Sequence, residues 1–506
     1  MMDENSILLA LAAEDFTDQD FESYHTFTEY EDRIILKLIA HGPVLLRGGR
    51  GIGKSTLFKE AYYRINRTPS IEEKVMGIYV SCRSLPLLRS TGLEYERILC
   101  EFLVNHVNAH LRKIDYKYQE LSPSSDVSDI QRQLTQLSDL SGRRIVLYFD
   151  DVAHIGREAS LKEFFDVFRT LSSNQISCKA TIYPGVTAFG DRFDLLNDAV
   201  VIDIARTELS NSFSTFFTDI MKKRYPEFVS EIEFSRMLKL DEVATFLGRA
   251  VMGNVRAFIY ACNFLFDRKR NDGISLPDLE ETIKFLSNDY YWPLFEELQP
   301  KLGPYEPLVD PAKEVAELLF KIVADSISKP DYGASCLIHR DHTERLKKVF
   351  EILEYIGFIS KRETSRALKS GGRGPRYAIN ICTLLEYISP SRLTSDLYSK
   401  LLLAEKEFAQ VFKAGDTANE FSKITMPETS LDKDLGILNM PIERLEKSKA
   451  YPYGLTSYRL GILKSAGINT IGELVNTKQE SIASLHDIGT YWVERIDNIV
   501  AQAIWM

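Results

Sequence analysis

Eight consecutive residues carry the strongest chemical signal in this chain. Residues 48–55 read GGRGIGKS and match the pattern GxxxxGK[ST] in full. Glycines let a backbone turn its N–H groups toward phosphate oxygens, and the helix that follows adds the positive end of its dipole. Lys54 is then expected at the β and γ phosphates of ATP, and Ser55 at Mg²⁺. The predicted ATP-binding residues are Gly48, Gly49, Arg50, Gly51, Ile52, Gly53, Lys54, Ser55 and Thr56.

A pair of carboxylates lies about ninety residues beyond this loop. Asp150 and Asp151 follow the apolar run 145–149, the pattern of a central strand that ends at the carboxyl edge of a parallel sheet. We expect Asp150 to hold Mg²⁺ together with Ser55, usually through water. Asp151 is predicted to orient or deprotonate the attacking water, and Lys54 to act with it in catalysis.

Short apolar runs and helical periodicity supply the elements that position these residues. Residues 43–47 predict a buried strand before the loop, and 55–65 predict the helix after it. A second strand is predicted over 76–80 and a long amphipathic helix over 95–111. This alternation predicts an α/β fold with a parallel sheet.

Composition places the chain among globular proteins and favours a cytoplasmic location. Its 506 residues suggest about three domains, and 44% of them are hydrophobic. No apolar run reaches the roughly 18 residues of a spanning helix, and the first residues lack signal-peptide features. The six scattered cysteines are interpreted as buried, reduced thiols. The net charge of −10 arises within residues 1–32, which hold ten acidic and no basic residues, so it does not exclude nucleic acid.

With the loop and the acidic strand in place, residues 25–385 resemble AAA+ ATPases, in particular the origin-recognition and replication-initiator clade and its signalling relatives. The resemblance implies a fourth strand that carries a polar γ-phosphate sensor after Cys178. The expected Asn is absent, and Tyr183 or Thr187 stands in its place. It also implies an arginine finger, Arg192, which acts on a neighbouring subunit before a fifth strand over 200–204.

The same resemblance implies a helical lid after the sheet. Residues 207–290 read as mostly helical, and Arg256 in the segment GNVRAFI matches the family's second sensor, which folds onto the γ-phosphate. Asp151 stands where most members carry Glu, so slow or partner-dependent hydrolysis is expected.

Residues 310–387 resemble a winged-helix domain. Helices are predicted over 312–327 and 343–356, followed by a hairpin with a mobile glycine-rich tip. Residues 361–376 carry six basic residues against one acidic one, so the hairpin either contacts DNA phosphates or packs within the molecule. The predicted DNA-contacting residues are Lys361, Arg362, Arg366, Lys369, Arg373 and Arg376.

The C-terminal part divides into a linker and a compact module. A helix over 393–412 and a polar linker are predicted first. Residues 455–489 then resemble the tandem helix-hairpin-helix domain of bacterial RNA polymerase α subunits, whose hairpin glycines, here Gly467 and Gly489, grip DNA phosphate. The family's groove-contacting positions are not matched, and the module sums to −1. Weak DNA binding and protein docking through Tyr491 and Trp492 therefore stay open, with His486 in a structural role.

The preferred hypothesis is an ATPase that uses ATP and Mg²⁺ to couple nucleotide state to binding of double-stranded DNA and to self-association. One alternative is a signalling switch, for example in phage defence, in which ATP drives oligomerisation and a separate effector protein is activated. Another is an adaptor that barely hydrolyses ATP. The predicted domains are an acidic segment (1–24), an AAA+ core (25–206), a lid (207–300), a winged helix (301–388), a linker (389–450) and a helix-hairpin-helix domain (451–506).

Overall fold

The structure is a computed structural model. It describes residues 13, 16–82, 92–114, 120–153, 158–185, 189, 193–226, 229, 238–268, 273–403, 405–428, 436–447 and 454–505.

A five-stranded sheet forms the first part of the chain. Its strand order is β2-β3-β4-β1-β5, and every neighbouring pair is parallel. The central strands are buried on both faces, which fits their continuous apolar runs. The α/β fold class predicted from the sequence is confirmed. The strands are β1 (Val44–Arg47), β2 (Val75–Ser81), β3 (Arg144–Ala153), β4 (Ile176–Ile182) and β5 (Val200–Asp203).

Helices cover this sheet. The longest of the described helices spans Gly92–Lys113, where the sequence predicts a helix over 95–111. The described helices of this part are α1 (Asp20–Tyr24), α2 (Glu29–Ile39), α3 (Lys54–Arg67), α4 (Pro69–Glu72), α5 (Gly92–Lys113), α6 (Val127–Ser141), α7 (Glu158–Leu171) and α8 (Leu195–Asp198).

The described part of the acidic N-terminal segment, residues 16–24, contacts the first sheet domain. Phe21 is fully buried, and Asp18 accepts a hydrogen bond from the Tyr63 hydroxyl at 2.7 Å. Glu22 pairs with Arg67 at 2.9 Å. Because these carboxylates neutralise cations of α3 and its neighbours, residues 16–24 pack on the sheet domain.

Helices follow the sheet, as the sequence predicts for the lid. Asn254 caps one of them by accepting the N–H of Ala257 at 3.1 Å. The elements are α9 (Ser212–Arg224), α10 (Leu240–Ala250), α11 (Val255–Asp267), α12 (Leu276–Leu286), a π-helical turn (Ser287–Tyr291), α13 (Trp292–Leu298) and 3₁₀ turns over Gln299–Lys301 and Gly303–Leu308.

A second sheet has the order β7-β8-β6-β9. The predicted basic hairpin is observed as the antiparallel pair β7 and β8. The single helix predicted over 393–412 is wrong: a short helix ends at Leu402 and β9 follows, parallel to β6. Phe408 and Ala409, neighbours in β9, are both buried and belong to different apolar clusters, so this strand is covered on both faces. The elements are α14 (Val309–Ile327), β6 (Tyr332–Ile338), α15 (Arg340–Arg345), α16 (Lys347–Ile356), β7 (Ile359–Ala367), β8 (Arg373–Ile379), α17 (Ile381–Leu384), the 3₁₀ turn Leu385–Tyr387, α18 (Ser395–Leu402), β9 (Glu407–Val411) and α19 (Asp416–Lys423).

The C-terminal helices have a hydrophobic core of their own, separate from the large core that joins the two sheet domains. The four helices expected for paired helix-hairpin-helix motifs are present. The elements are 3₁₀ turns Gly436–Asn439 and Ile442–Leu445, then α20 (Ser457–Ser465), α21 (Ile471–Asn476), α22 (Gln479–Ala483) and α23 (Thr490–Trp505).

Two predictions about composition can be compared with the structure. All six cysteines are free and buried, as expected. Among the described residues, no helix combines the length and apolar character needed to cross a membrane.

Candidate functional site

The glycine-rich loop joins the end of β1 to the start of α3. Gly51 and Gly53 have φ angles of 77° and 99°, which L side chains rarely adopt. A Cβ added at Gly51 would lie 2.4 Å from Oδ1 of Asn254, so this glycine also allows the lid to approach the loop closely. The loop therefore has the backbone that the sequence pattern predicts.

Lys54 lies at the centre of the site. Its side chain is buried, and Nζ donates to the carbonyls of Gly48 and Gly49 at 2.8 and 3.1 Å. The same Nζ lies 3.5 Å from the centre of the Tyr183 ring. Burial lowers the pKa of Lys54 to about 7, against the raising effect of Asp151 and Asp150.

Both predicted acids are buried at the end of β3. Asp150 accepts hydrogen bonds from the hydroxyls of Tyr79, at 2.5 Å, and Thr181, at 2.8 Å. The backbone N–H of Asp151 donates to the Thr181 hydroxyl at 2.8 Å. Asp151 has a φ of 54°, and the β3–β4 register shifts between Phe149 and Ala153. This irregularity displaces Asp151 from the regular strand path, as bulges near active sites do.

Strand β4 lies between the strand of the loop and the strand of the acids. Its residue Thr181 is fully buried and connects Asp150 to the Asp151 backbone, while the Tyr183 hydroxyl lies 3.4 Å from Oδ1 of Asp151. Tyr183, one of two predicted γ-phosphate sensors, thus contacts both Lys54 and Asp151. Thr187, Asp191 and Arg192 lie outside the described residues, so the arginine finger stays a prediction.

The lid contacts the loop directly. The N–H of Arg256 donates to the carbonyl of Gly51 at 3.1 Å, and the Asn254 amide donates to the carbonyl of Arg50 at 2.8 Å. Arg256 lines the same cleft as Lys54 and Asp151. Arg256 therefore lies beside the loop, and its role as the second sensor stays a prediction.

Several residues of this cleft were missed by the sequence analysis. Arg206 is buried, bonds Oε1 of Glu31 at 2.8 Å and donates to the carbonyl of Ile52 at 2.5 Å. Burial, with the charge of Arg224, lowers the pKa of His25 to about 3 and keeps this histidine neutral. Arg206 and Glu31 are 175 positions apart, and both lie in polar sequence stretches, so no local pattern indicates that they pair. The lining residues beyond the loop include Tyr24, His25, Thr26, Phe27, Glu31, Asp151, Tyr183, Arg206, Phe216, Ile220, Arg224, Val255, Arg256 and Ile259.

The second sheet domain also contacts the loop. The N–H of Arg50 donates to the carbonyl of Tyr355 at 3.2 Å, and the Tyr355 ring packs edge-on against Tyr183 at 5.1 Å. Lys348 donates to the carbonyl of Gly185 at 2.7 Å. The end of α16 is thus attached to the segments that flank the phosphate site.

The basic hairpin is less positive than its sequence indicates. Arg362 and Arg376 are buried and pair with Glu208 and Glu405, which come from outside the hairpin. These two do not fit the predicted role in DNA contact, because carboxylates remote in sequence occupy them. Three others also bind carboxylates: Lys361 with Glu354, Arg366 with Glu363, and Lys369 with Glu407. Arg373 is exposed and donates to Ser365 at 2.9 Å.

The C-terminal hairpins present a similar result. The N–H of Gly467 donates to the carbonyl of Lys464 at 2.9 Å. The backbone N–H groups of Asn469 and Thr470 donate to the Glu473 carboxylate at 2.7 and 3.0 Å. A phosphate would compete with these internal acceptors, so the first hairpin does not offer the grip predicted at Gly467. Gly489 has no contact that would block a Cβ, and its DNA role stays a prediction.

The parallel sheet, the glycine loop after β1, the acids at the end of β3 and the helical lid define an α/β fold with a P-loop. No family model matches the chain, and no curated protein matches it either.

The chain is similar to several solved structures at low sequence identity. The Walker-type ATPase PABY2304 of Pyrococcus abyssi is 14% identical; 74% of this chain and 97% of that chain are covered, with a TM-score of 0.39. The ORC1 protein of Aeropyrum pernix in complex with DNA is 14% identical, with 77% and 98% covered and a TM-score of 0.32. AMPPCP-bound DnaA from Aquifex aeolicus is 19% identical, with 56% and 74% covered and a TM-score of 0.29.

Proposed function

We propose that this chain binds ATP with Mg²⁺ and hydrolyses it in the cleft around Lys54. The observation that supports this most is that Lys54, Asp151 and Arg256, from three separate parts of the sequence, line one cleft with the glycine loop. Mg-ATP would supply the reactive phosphoryl group and part of the charge neutralisation.

The residues present fit this ligand. Gly51 and Gly53 hold the positive φ angles of a phosphate-binding loop. The proposed Mg²⁺ ligands are Ser55 and Asp150, and a site with only one or two protein ligands suits Mg²⁺, which retains several waters. Tyr24, Phe27 and Phe216 provide apolar surface in the same cleft for a base.

Each side chain has a separate task in the proposed reaction. Lys54 exchanges the carbonyls of Gly48 and Gly49 for phosphate oxygens, and Arg256 adds a second cation to the transferred group. Asp151 accepts a proton from the attacking water at its carboxylate. Thr181 holds the backbone of Asp151 against Asp150. Tyr183 contacts both Lys54 and Asp151, so a phosphate that moves Lys54 also changes the surroundings of Asp151.

Turnover can be measured with matched variants. We expect Lys54→Ala to abolish ATP hydrolysis and to weaken ATP binding, whereas Lys37→Ala, an exposed lysine on α2, should behave like the wild type. ATP binding and turnover that survive Lys54→Ala would refute the proposal. If Lys54→Ala loses ATP binding but the wild type shows no measurable turnover, the result would instead favour the adaptor that barely hydrolyses ATP.

Self-association through Arg192 is part of the proposal. If this arginine acts on a neighbouring subunit, Arg192→Ala and Asp151→Asn are each inactive alone. Mixing them places an intact Arg192 opposite an intact Asp151 at some interfaces, so part of the activity returns. Mixtures that remain inactive would argue against action between subunits.

Two observations favour the switch over the DNA-coupled enzyme. Arg362 and Arg376 are paired inside the molecule, and α16 of the same domain contacts the phosphate loop. Nucleotide binding at the loop can therefore release or retain this domain. We expect ATP, but not ADP, to drive assembly of the wild type in light scattering, and Tyr355→Ala to assemble without nucleotide. Nucleotide-independent assembly of both would contradict the switch.

DNA binding is the second candidate, and it depends on the exposed end of the hairpin. Lys369 is 60% exposed, and Arg373 is also exposed. Salt-sensitive binding of duplex DNA that Lys369→Glu with Arg373→Glu abolishes would support this candidate. No binding at low salt, with turnover unchanged by DNA, would exclude it.

A further inference from the structure

A second cleft lies where the lid meets the second sheet. It has a volume of about 530 Å³, including the part open to solvent. We call it the junction cleft and define it by its six charged lining residues: Glu208, Arg249, Arg362, Arg376, Lys400 and Glu405.

The junction cleft holds an excess of positive charge. Its four basic and two acidic side chains carry a formal charge of +2, and the other residues that line it are uncharged. Glu363 bonds Nε of Arg376 at 2.8 Å from outside this lining, which leaves +1. The side chains of Arg362 and Arg376 are only 3% and 6% exposed, so water screens this excess poorly.

Two of the arginines have donors that no described residue uses. Arg362 donates through Nη1 to Ser360 at 2.8 Å and through Nη2 to Glu208 at 3.0 Å, but its buried Nε has no partner. Arg249 donates through Nη1 to the carbonyls of Leu401 and Leu403, and its Nε is also buried without a partner. Buried guanidinium N–H groups usually bind an acceptor, and carboxylate or phosphate matches their geometry.

The rim of the junction cleft is apolar. Leu209 and Leu403 line it and are 58% and 70% exposed. Met252, Ile379 and Leu401 continue this surface inward. A ligand that reaches the arginines therefore also meets hydrocarbon.

We propose that the junction cleft binds a small organic oxyanion, in which a carboxylate or phosphate group meets Arg249 and Arg362 and an apolar body covers Leu209 and Leu403. This assigns Arg362, together with Arg249, to a ligand site inside the molecule, in place of DNA contact.

The junction cleft is joined to the nucleotide cleft by one turn of chain. Arg362 donates to the carbonyl of Met252 at 3.4 Å, and Met252 and Gly253 both have positive φ, at 54° and 83°. Asn254 and Arg256, the next residues, bind the phosphate loop. Occupancy of one cleft thus biases the other, and this coupling, unlike the binding itself, rests on the proposed ATP site.

Binding is tested by calorimetry with phenyl phosphate, benzoate and inorganic phosphate. All titrations use the Lys54→Ala protein, so that neither the phosphate loop nor the success of the ATP proposal affects the result. We expect saturable binding of phenyl phosphate or benzoate, and whichever binds more tightly identifies the oxyanion. Weaker binding of inorganic phosphate than of phenyl phosphate supports the apolar rim, and equal binding contradicts it.

Three further substitutions assign the site. Arg362→Gln should weaken binding by at least about ten-fold, because it removes a guanidinium from the oxyanion. Glu405→Gln should tighten binding several-fold, because it removes a negative charge from the lining of the junction cleft, where it repels an oxyanion. Lys369→Gln, on the same hairpin but outside the junction cleft, should leave the Kd unchanged.

The two substitutions are expected to change the Kd in opposite directions, so misfolding cannot explain both results. If Arg362→Gln fails to fold after loss of its pair with Glu208, Glu405→Gln still decides, since a damaged protein does not bind more tightly. Absence of saturable binding by every probe, or a Kd that Glu405→Gln leaves unchanged, would overturn the proposal.

Discussion

The two sheets of this molecule use charged residues in different ways. At the edge of the five-stranded sheet, Lys54 and Asp151 are buried beside an open cleft, and Lys54 rests on backbone carbonyls that a ligand can replace. In the four-stranded sheet, Arg376 is held by two carboxylates, Glu363 and Glu405. Charge that is held by exchangeable partners is available for a substrate, whereas charge that is held by carboxylates stabilises the fold.

The largest effect is expected at the acid end of the first sheet. Asp151→Asn should lower ATP turnover on the order of 1,000-fold while ATP still binds, because the amide cannot accept the proton of the attacking water. Asparagine tolerates the φ of 54° at this position, so the fold should be retained. Steady-state kinetics and nucleotide binding of this variant, beside Asp396→Asn at an exposed position on α18, measure the difference. Equal turnover would remove Asp151 from the chemistry.

The next effect is expected in the second sheet. Arg376→Met should lower the free energy of unfolding by about 3 kcal/mol, because Glu363 and Glu405 lose their buried partner. Lys369→Met, an exposed pair on the same hairpin, should change it by less than about 1 kcal/mol. Urea titrations of both variants make the comparison. If both variants lost a similar free energy of unfolding, the buried pair would contribute no more to stability than the exposed pair.

Two glycines at positive φ extend the comparison to the backbone. Gly51→Ala should lower the free energy of unfolding by about 2 kcal/mol and should abolish ATP binding. The added Cβ would contact Asn254 and would also strain the loop. Gly371→Ala at the hairpin tip has a φ of 92° but nothing within 4 Å, so a loss of about 1 kcal/mol with normal ATP binding is expected. Thermal unfolding with and without ATP separates the two. An ATP response retained in Gly51→Ala would contradict the role given to the loop.

A buried lysine under the first sheet gives an effect that is expected only in the pH dependence of stability. Lys179 donates to the carbonyls of Ala40 and Gly42, and burial lowers its pKa to about 7. The unfolded chain therefore binds more protons between about pH 7 and pH 10, so this residue makes stability rise with pH there, by up to about 1.4 kcal/mol per pH unit. Lys179→Met should lower this slope in urea titrations across the window, and part of the slope should remain because burial also lowers the pKa values of Lys54 and Lys301 to about 7. Exposed Lys37→Met should leave the slope unchanged, and a slope in Lys179→Met equal to that of the wild type would contradict the role given to Lys179.

Local pattern was enough for the first sheet. The loop 48–55 and the acids after 145–149 were placed correctly because glycine conformations and apolar runs act within a few residues of each other. The strand β9 was mistaken for the end of a helix, because five residues beside a real helix do not distinguish the two periods.

The sequence alone determined the parallel α/β class, the phosphate loop and the identity of the two acids. Only the tertiary structure decided what the other charges do. Glu208, Glu405 and Glu407 neutralise the hairpin from distant positions, and Arg206 and Glu31 meet across 175 positions. The physical reason is that the availability of a charge depends on burial and on partners in space, which a count along the chain does not contain.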